Sequence, residues 1–416
     1  MKLKLLIPAL AIHFANPLTA RATEIVATTC SELKSYRDVI SCAEARSPEV
    51  QISNADLNRA QAEVGASGQW KNPEFSAESV QGRSGGQDNS QTDLALGVPI
   101  ELGGKISARR AVAQGGVLQA EARAYETRAK IKSEVMLKLH RLRQVYHEQE
   151  VIDEAIGTFT KLVAQFAKRP TLSPEQKLSN TVFRMSKSEY EIRRSETVEE
   201  LAALNSFFKV AVGMDVEQLR KVVPDSISSW PSFGNEFKPG VSPKSKLADA
   251  ELKTSEAGLS LAQSEAWPTL TVGPSMQIQK QGNQNSQMFG LNVSLPLPLF
   301  NTNGGARAAA ASSVNLSQNR KSYALLEEEK HREQLVNVFN ESKRVLQTSL
   351  SHKEIEGRHK DVERLFLKGI VPSALVIEAH RTFVDLEVTR HQRELKAIES
   401  MLSIYTIDGK ILEMNL

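Results

Sequence analysis

The chain repeats itself once, and that limits the architectures open to it more than any other feature. Trp70-Lys71-Asn72-Pro73-Glu74-Phe75 reappears as Trp267-Pro268-Thr269-Leu270, and ELGGKISARRA (Glu101 to Ala111) is echoed by TNGGARAAAAS (Thr302 to Ser312). Phe166-Ala167-Lys168-Arg169 answers Phe366-Leu367-Lys368-Gly369, and Val212-Gly213 answers Asp408-Gly409. The offsets all fall between 196 and 201 residues, so one unit is used twice. We divide the chain into a first repeat at 23–213, a linker or equatorial segment at 214–242, and a second repeat at 243–416. Each repeat reads as helix, strand pair, very long helix, break, long helix.

The strand pairs decide the compartment. Leu94, Leu96, Val98 and Ile100 alternate with Asp93, Ala95, Gly97 and Pro99. Leu270 to Gln279 and Phe289 to Leu297 alternate in the same way, and Glu74 to Gln81 does so more weakly. Polar, Gly-containing stretches join each pair, Arg83 to Gln91 and Lys280 to Ser286, as in hairpins. An apolar face opposite a polar one also fits a soluble sandwich. Strands of about ten residues match a tilted membrane-spanning strand, and Trp70, Trp267 and Phe300 lie just outside them, where interfacial aromatics belong. Four strands cannot close a membrane barrel, because single-chain barrels begin at about eight and open edges are not tolerated in lipid. Several chains must contribute.

The helical stretches are too long for a globular domain. Gly104 to Arg169 extends ~100 Å as one helix, and Gly305 to Lys368 nearly as far. Ile131, Val135, Leu139, Leu142 and Val145 form an apolar seam, as do Ala309, Ala310, Val314, Leu325, Leu335, Val338, Phe339, Val345 and Leu346, so coiled-coil packing is expected. The fold class is therefore mostly α with a membrane β-barrel.

The amino terminus has Lys2 and Lys4, an apolar run from Leu5 to Phe14, and Ala20-Arg21-Ala22, the pattern of a cleaved secretory signal over residues 1–22. The run is too short for a membrane anchor, which needs about 20 residues. Cleavage removes three bases and no acid, so the formal +3 falls to about zero and the charge gives no case for nucleic acid. The chain's two cysteines are Cys30 and Cys42. On one helix they would stand ~18 Å apart, so a disulfide requires Cys30 to leave the helix and fold back. Ala27-Thr28-Thr29 is a poor lipidation signal before Cys30.

These features resemble the TolC family of outer-membrane efflux channels over essentially the whole mature chain. The motifs that carry the likeness are the Trp70 and Trp267 strand entries, PIELGGKISARRA (Pro99 to Ala111), LPLPLFNTNGGARAA (Leu295 to Ala309) and FLKGIVPSALVIEAHR (Phe366 to Arg381). Ser173-Pro174-Glu175 is most similar to the CzcC-like, heavy-metal branch. The resemblance implies a homotrimer in the outer membrane of a Gram-negative bacterium, each chain giving four strands to a twelve-stranded barrel above a periplasmic helical tunnel. It also implies a periplasmic adaptor and an inner-membrane pump of the resistance-nodulation-division class, with passive transport of heavy-metal cations. Drugs and exported polypeptides are the alternative cargo within the family. A periplasmic coiled-coil adaptor is the rival of another class, but it should lack paired amphipathic strands.

Site residues follow. Pro296 and Pro298 end ladder pairing, and Gly103-Gly104 and Gly304-Gly305 let the backbone turn at the barrel-tunnel junction. Arg169-Pro170 and Gly369 to Pro372 break helices farthest from the strands and mark periplasmic tips. Ser173 caps the returning helix, with Pro174 first in it and Glu175 near its positive end. Adaptor contact by Arg169, Ser173, Pro174, Glu175, Phe366, Gly369, Pro372 and Ser373 is implied by the resemblance. So is a pore constriction at Leu375 and Glu378, where only Glu378 supplies the carboxylate that two acids supply in well-known members. His140 and His147, like His352 and His359, are seven apart on one helix face and cannot share an ion, so a solvated face accounts for them. No nucleophile motif, His-acid cluster on a loop or phosphate-binding loop is found, so neither an enzyme nor a cofactor is expected.

Overall fold

The computed structural model describes residues 30 and 33–414, and the expected signal segment lies outside them. Helices α1 (Tyr36–Arg46) and α2 (Pro48–Ser67) lead into strands β1 (Glu74–Ser84) and β2 (Gln87–Glu101). Helix α3 (Lys105–Ala167) then runs 63 residues, about 95 Å, because no proline interrupts it. Helix α4 (Pro174–Ala211) returns, and the short α5 (Val216–Leu219) opens the segment that crosses to the second repeat. That repeat has α6 (Pro243–Ser264), β3 (Thr269–Gln281), β4 (Gln284–Ser294), α7 (Gly304–Thr348), α8 (His352–Leu367) and α9 (Ser373–Ile407).

The strands form one antiparallel sheet in the order β1-β2-β3-β4. Both hairpins are tighter than the polar linkers suggested, because the ladders run through Arg83–Asp88 and Lys280–Asn285 to turns built on Gly85-Gly86 and Gly282. Register makes the apolar face continuous. Phe75 stands opposite Leu96 and Pro274 opposite Leu291, while Ala77, Leu94, Met276 and Phe289 form an unbroken row. The opposite face carries Glu74, Glu78, Asp93 and Glu101 and no basic residue. Pairing of β2 with β3 skips Leu96 and Gly97, across from Gly273 and Pro274, where proline has no amide hydrogen to give.

One expected helix is two. Instead of running from Gly305 to Lys368, the chain breaks at Ser349-Leu350-Ser351 between α7 and α8. Ser351 and Glu354 form a capping box, and Arg390 donates to the carbonyls of Leu346 and Leu350 and to Ser349 Oγ. The motif Ser-His-Lys-Glu is a helix start inside an otherwise periodic stretch. The second seam also differs. The inward residues of α7 are Ser317, Ala324, Glu328, Arg332, Val336, Phe339 and Ser342, and Ala309 is exposed.

Two cores hold the helices. The larger gathers Leu139, Leu142, Phe208, Phe339, Met401 and Leu402 at mid-length. The segment expected as a linker packs there too, with Trp230 and Phe233 edge-on to Phe339 at 5.9 and 4.9 Å. The smaller lies toward the helix breaks, where Phe159 stacks on Tyr190 at 5.7 Å and leans on Phe183 at 5.9 Å. Nearer the sheet the buried residues of α3 shrink to Ala108, Gly115, Ala120, Ala122 and Ala124, which lets α6 approach closely. A Cβ on Gly273 would run into the Leu96 carbonyl oxygen. Gly273→Ala is therefore expected to lower the yield of assembled, membrane-inserted protein, measured as detergent-extractable oligomer; an unchanged yield would mean that the sheet accommodates the methyl group.

Candidate functional site

Three regions can carry function: the sheet, its junction with the helices, and the helix breaks. The sheet is almost bare. Every residue of β4 is exposed, including Phe289 at 79% and Leu291 at 69%. Among the described residues neither β1 nor β4 has a second strand partner. Trp70, Trp267 and Phe300 are exposed beside the strand ends nearest the helices.

At the junction Gly103 and Gly104 have φ of 73° and 75°, and Gly104 is the N-cap of α3. The indole of Trp267 covers Gly103 closely enough to exclude any side chain. In the second repeat the turn falls elsewhere than expected. Gly304 and Gly305 are already helical, and Asn303, at φ 56°, takes the left-handed position as N-cap of α7. Asn tolerates this conformation through local hydrogen bonds: its backbone N–H donates to Asn301 Oδ1 (2.9 Å) and its Nδ2 to the Ala262 carbonyl (2.8 Å). Pro296 and Pro298 lie just beyond β4. Sequence reading missed a clamp in the first repeat: Arg109 grips Glu101 with two bonds of 2.8 Å inside the ELGGKISARRA motif, tying the end of β2 to the start of α3.

The two helix breaks meet. Ser179 and Ser373 hydroxyls are 3.2 Å apart, and Phe183 contacts Phe366 edge-on at 5.9 Å. Ser173 caps α4, its Oγ accepting from the Gln176 amide while Gln176 Oε1 accepts from the Ser173 amide, with Pro174 and Glu175 in the first turn. Gly369, at φ 72°, closes α8 in a Schellman turn, Ile370 donating to the Leu365 carbonyl at 3.0 Å and Gly369 to Phe366 at 2.8 Å. Pro372 is the N-cap of α9. Arg169 lies over the Phe166 ring at 5.5 Å. Leu375 and Glu378 are both exposed, and Arg381 stands 3.9 Å from Glu378 and 3.6 Å from Glu189.

Cys30, outside α1, is disulfide-bonded to Cys42 with Cα atoms 5.9 Å apart.

The histidines of α3 do not form a solvated face. His140 is 4% exposed, and its Nδ1 has no hydrogen-bond partner among the described residues. Burial, with Arg143 adding to it, holds its pKa down at about 4. His147 is half-buried against His391 of α9, and the side chains of His352 and His359 lie outside what is described. Around them the α3–α9 seam is charged. Arg143 donates to Glu394 at 2.5 Å and Arg141 bridges Glu148 and Glu200. Burial acts to raise the Glu394 pKa, but Arg143, Gln144 and Ser226 overcome it and hold the carboxyl at about 2. Periodicity alone gave no sign of these partners, because Arg143 and Glu394 are 251 residues apart and Glu200 reaches Arg141 from α4, 59 residues on.

No protein-family model matches the chain. In sequence it is similar to the nickel-cobalt-cadmium resistance protein NccC of Alcaligenes xylosoxydans xylosoxydans, with 23% identity over 312 residues, 71% of this chain and 68% of that protein. In fold it is similar to the outer membrane protein VceC of Vibrio cholerae, with a TM-score of 0.67 and 16% identity over 90% of this chain and 96% of that one. It is likewise similar to the Campylobacter jejuni CmeC outer membrane channel, with a TM-score of 0.69 and 12% identity over 91% and 86% of the two chains.

A buried neutral His140 stabilises the fold fully above its unfolded pKa near 6.5, and that contribution is lost as pH falls toward 4. Thermal melts of the wild type should therefore lose stability from pH 6.5 to 4 more steeply than those of His140→Leu, by on the order of 3 kcal/mol per chain. Parallel slopes would remove His140 as the cause.

Proposed function

Because the chain has the fold of the TolC family of outer-membrane efflux channels, we propose that it is one third of a passive exit duct through the outer membrane. The observation that carries this reading is the sheet, with one face apolar across all four strands and both edges unpaired. In lipid every unpaired backbone group costs several kcal/mol, so other copies must complete the ladder. Two copies give eight strands, whose interior is just filled by side chains. Three copies give twelve, the next number that four-stranded sheets can reach and a wider ring than eight. Exposed apolar residues elsewhere fit the same assembly: Leu178, Met185 and Ile192 recur every seven residues along α4, as do Leu316 and Tyr323 on α7.

The helices then continue the barrel as a tunnel into the periplasm, and the paired breaks form its closed end. Arg169, Ser173, Pro174, Glu175, Phe366, Gly369, Pro372 and Ser373 present this end to a periplasmic adaptor, which couples it to an inner-membrane pump of the resistance-nodulation-division class. The cargo we assign is divalent heavy-metal cations. Two facts support it: the relative in sequence is a nickel-cobalt-cadmium resistance protein, and the polar face of the sheet bears acids without bases. Three copies of Glu74, Glu78 and Asp93 would line the barrel with carboxylates and attract cations, while Glu101 is taken up by Arg109.

Fractionation separates this reading from a coiled-coil adaptor. The protein should resist carbonate and leave the outer membrane only in detergent, and its deletion should sensitise cells to nickel, cobalt or cadmium. Release by carbonate would overturn the channel; detergent-dependent release with unchanged metal tolerance would overturn only the cargo. At the closed end, three copies of Glu378 ring the axis, each moderated by Arg381 at 3.9 Å. Glu378→Ala should raise single-channel conductance in planar bilayers; unchanged conductance would exclude Glu378 from the gate.

A further inference from the structure

The α3–α9 seam holds a second arrangement that neither duct nor tips require. His147 of α3 meets His391 and Glu387 of α9, the last two one helical turn apart on the same face. His147 Nδ1 lies 3.3 Å from His391 Nε2, and Glu387 Oε2 lies 3.9 and 4.0 Å from those two nitrogens. Ligands around a tetrahedral ion with bonds of about 2.0–2.1 Å stand roughly 3.3–3.4 Å apart, so the three atoms need close by only about half an ångström.

The surroundings set the ring chemistry. His391 Nδ1 is 2.8 Å from Glu148 Oε1, an acceptor that fixes the proton on Nδ1 and leaves the Nε2 lone pair for the cluster. Glu148 is itself held by Arg141 through bonds of 2.7 and 3.0 Å. A carboxylate behind a ligating imidazole both orients the ring and makes it a better donor. Arg143, one helical turn before His147 on α3, is neutralised by Glu394, and Arg390 is spent on the carbonyls of the α7–α8 break. On the remaining side the cluster opens into a cavity of about 520 Å³, which gives an ion an entry path and a fourth position for water.

We propose that His147, Glu387 and His391 form a site for a divalent transition-metal ion that clasps the first repeat to the second. Two imidazoles and one carboxylate without a thiolate select borderline ions such as Zn²⁺, Co²⁺ or Ni²⁺ over Ca²⁺ and Mg²⁺, which prefer all-oxygen shells. On binding, His147 carries its proton on Nε2, so that Nδ1 ligates. The ion sits between α3 and α9 beside Arg390, the residue that organises the α7–α8 break, and so stiffens the protein at that level. The site does not depend on the cargo assigned above.

The test uses the full chain in detergent, purified without a histidine tag and freed of metal by chelation. Titration with Co²⁺ should give the strong visible absorption of a tetrahedral ion, saturating at one ion per chain and displaced by Zn²⁺ but not by Mg²⁺. His147→Ala and His391→Ala should each abolish that signal, and Glu148→Gln should weaken binding by about 10- to 100-fold. His331→Ala, an exposed histidine away from the cluster, should bind as the wild type does. Where an alanine variant fails to assemble, the near-isosteric Glu387→Gln serves and should weaken binding at least 10-fold. Absence of a saturable signal in the wild type, or an unchanged signal in the variants that assemble, would overturn the proposal.

Discussion

Two unpaired strand edges govern this molecule. Along β1 and β4, each 11 residues long, one row of backbone donors and acceptors has no strand partner among the described residues. Charges, bulges or prolines usually protect such an edge in water. On the apolar face the edge strands carry Phe75 and Ala77 on β1 and Phe289, Leu291 and Val293 on β4, which suit lipid and invite pairing. If other copies close those edges, as proposed, the helices that descend from the same strands are brought together as well. The exposed apolar stripes of α4 and α7 then have neighbours by symmetry rather than by separate design.

The change from sheet to helix is the next consequence. Strands in a barrel are tilted and nearly 5 Å apart, whereas helices pack at about 8–10 Å, so the chain must turn and spread within a few residues. It does so twice, with different chemistry. The first repeat uses Gly103 and Gly104 under the Trp267 ring and locks the turn with the Glu101–Arg109 clamp. The second uses one left-handed Asn303 held by its own side chain. The two junctions share a left-handed N-cap and use different residues to produce it.

What sequence could reveal followed the range of the interaction. Alternation located all four strands, because a one-residue shift would have exposed the wrong face, and Gly369 and Ser173-Pro174 marked the helix breaks through local backbone rules. The α7–α8 break was also local, in Ser351 and Glu354, but a strong apolar period on either side masked it. Contacts between distant helices were not legible. His140 and His147 share a helix face, yet one is buried among core residues and the other meets His391, and no periodicity distinguishes those two environments.

That charged seam is also the costliest part of the fold. An apolar seam would bury the same area without desolvating Arg141, Arg143, Glu148 and Glu394, and buried ion pairs seldom exceed well-packed hydrophobic residues in stability. What they supply is register: Arg143 and Gln144 hold Glu394, and Glu148 holds His391, so α9 cannot slide along α3 by a turn without stranding several polar groups. Long helices with repeating apolar faces are prone to such slips. The aromatic cluster around Phe159 fixes the end near the breaks, the Arg332–Asp408 pair fixes the opposite end of α9, and the charges between them fix the phase. Register along α9 in turn decides where Leu375 and Glu378 stand, so the polar seam at mid-length sets the geometry where the two helix breaks meet.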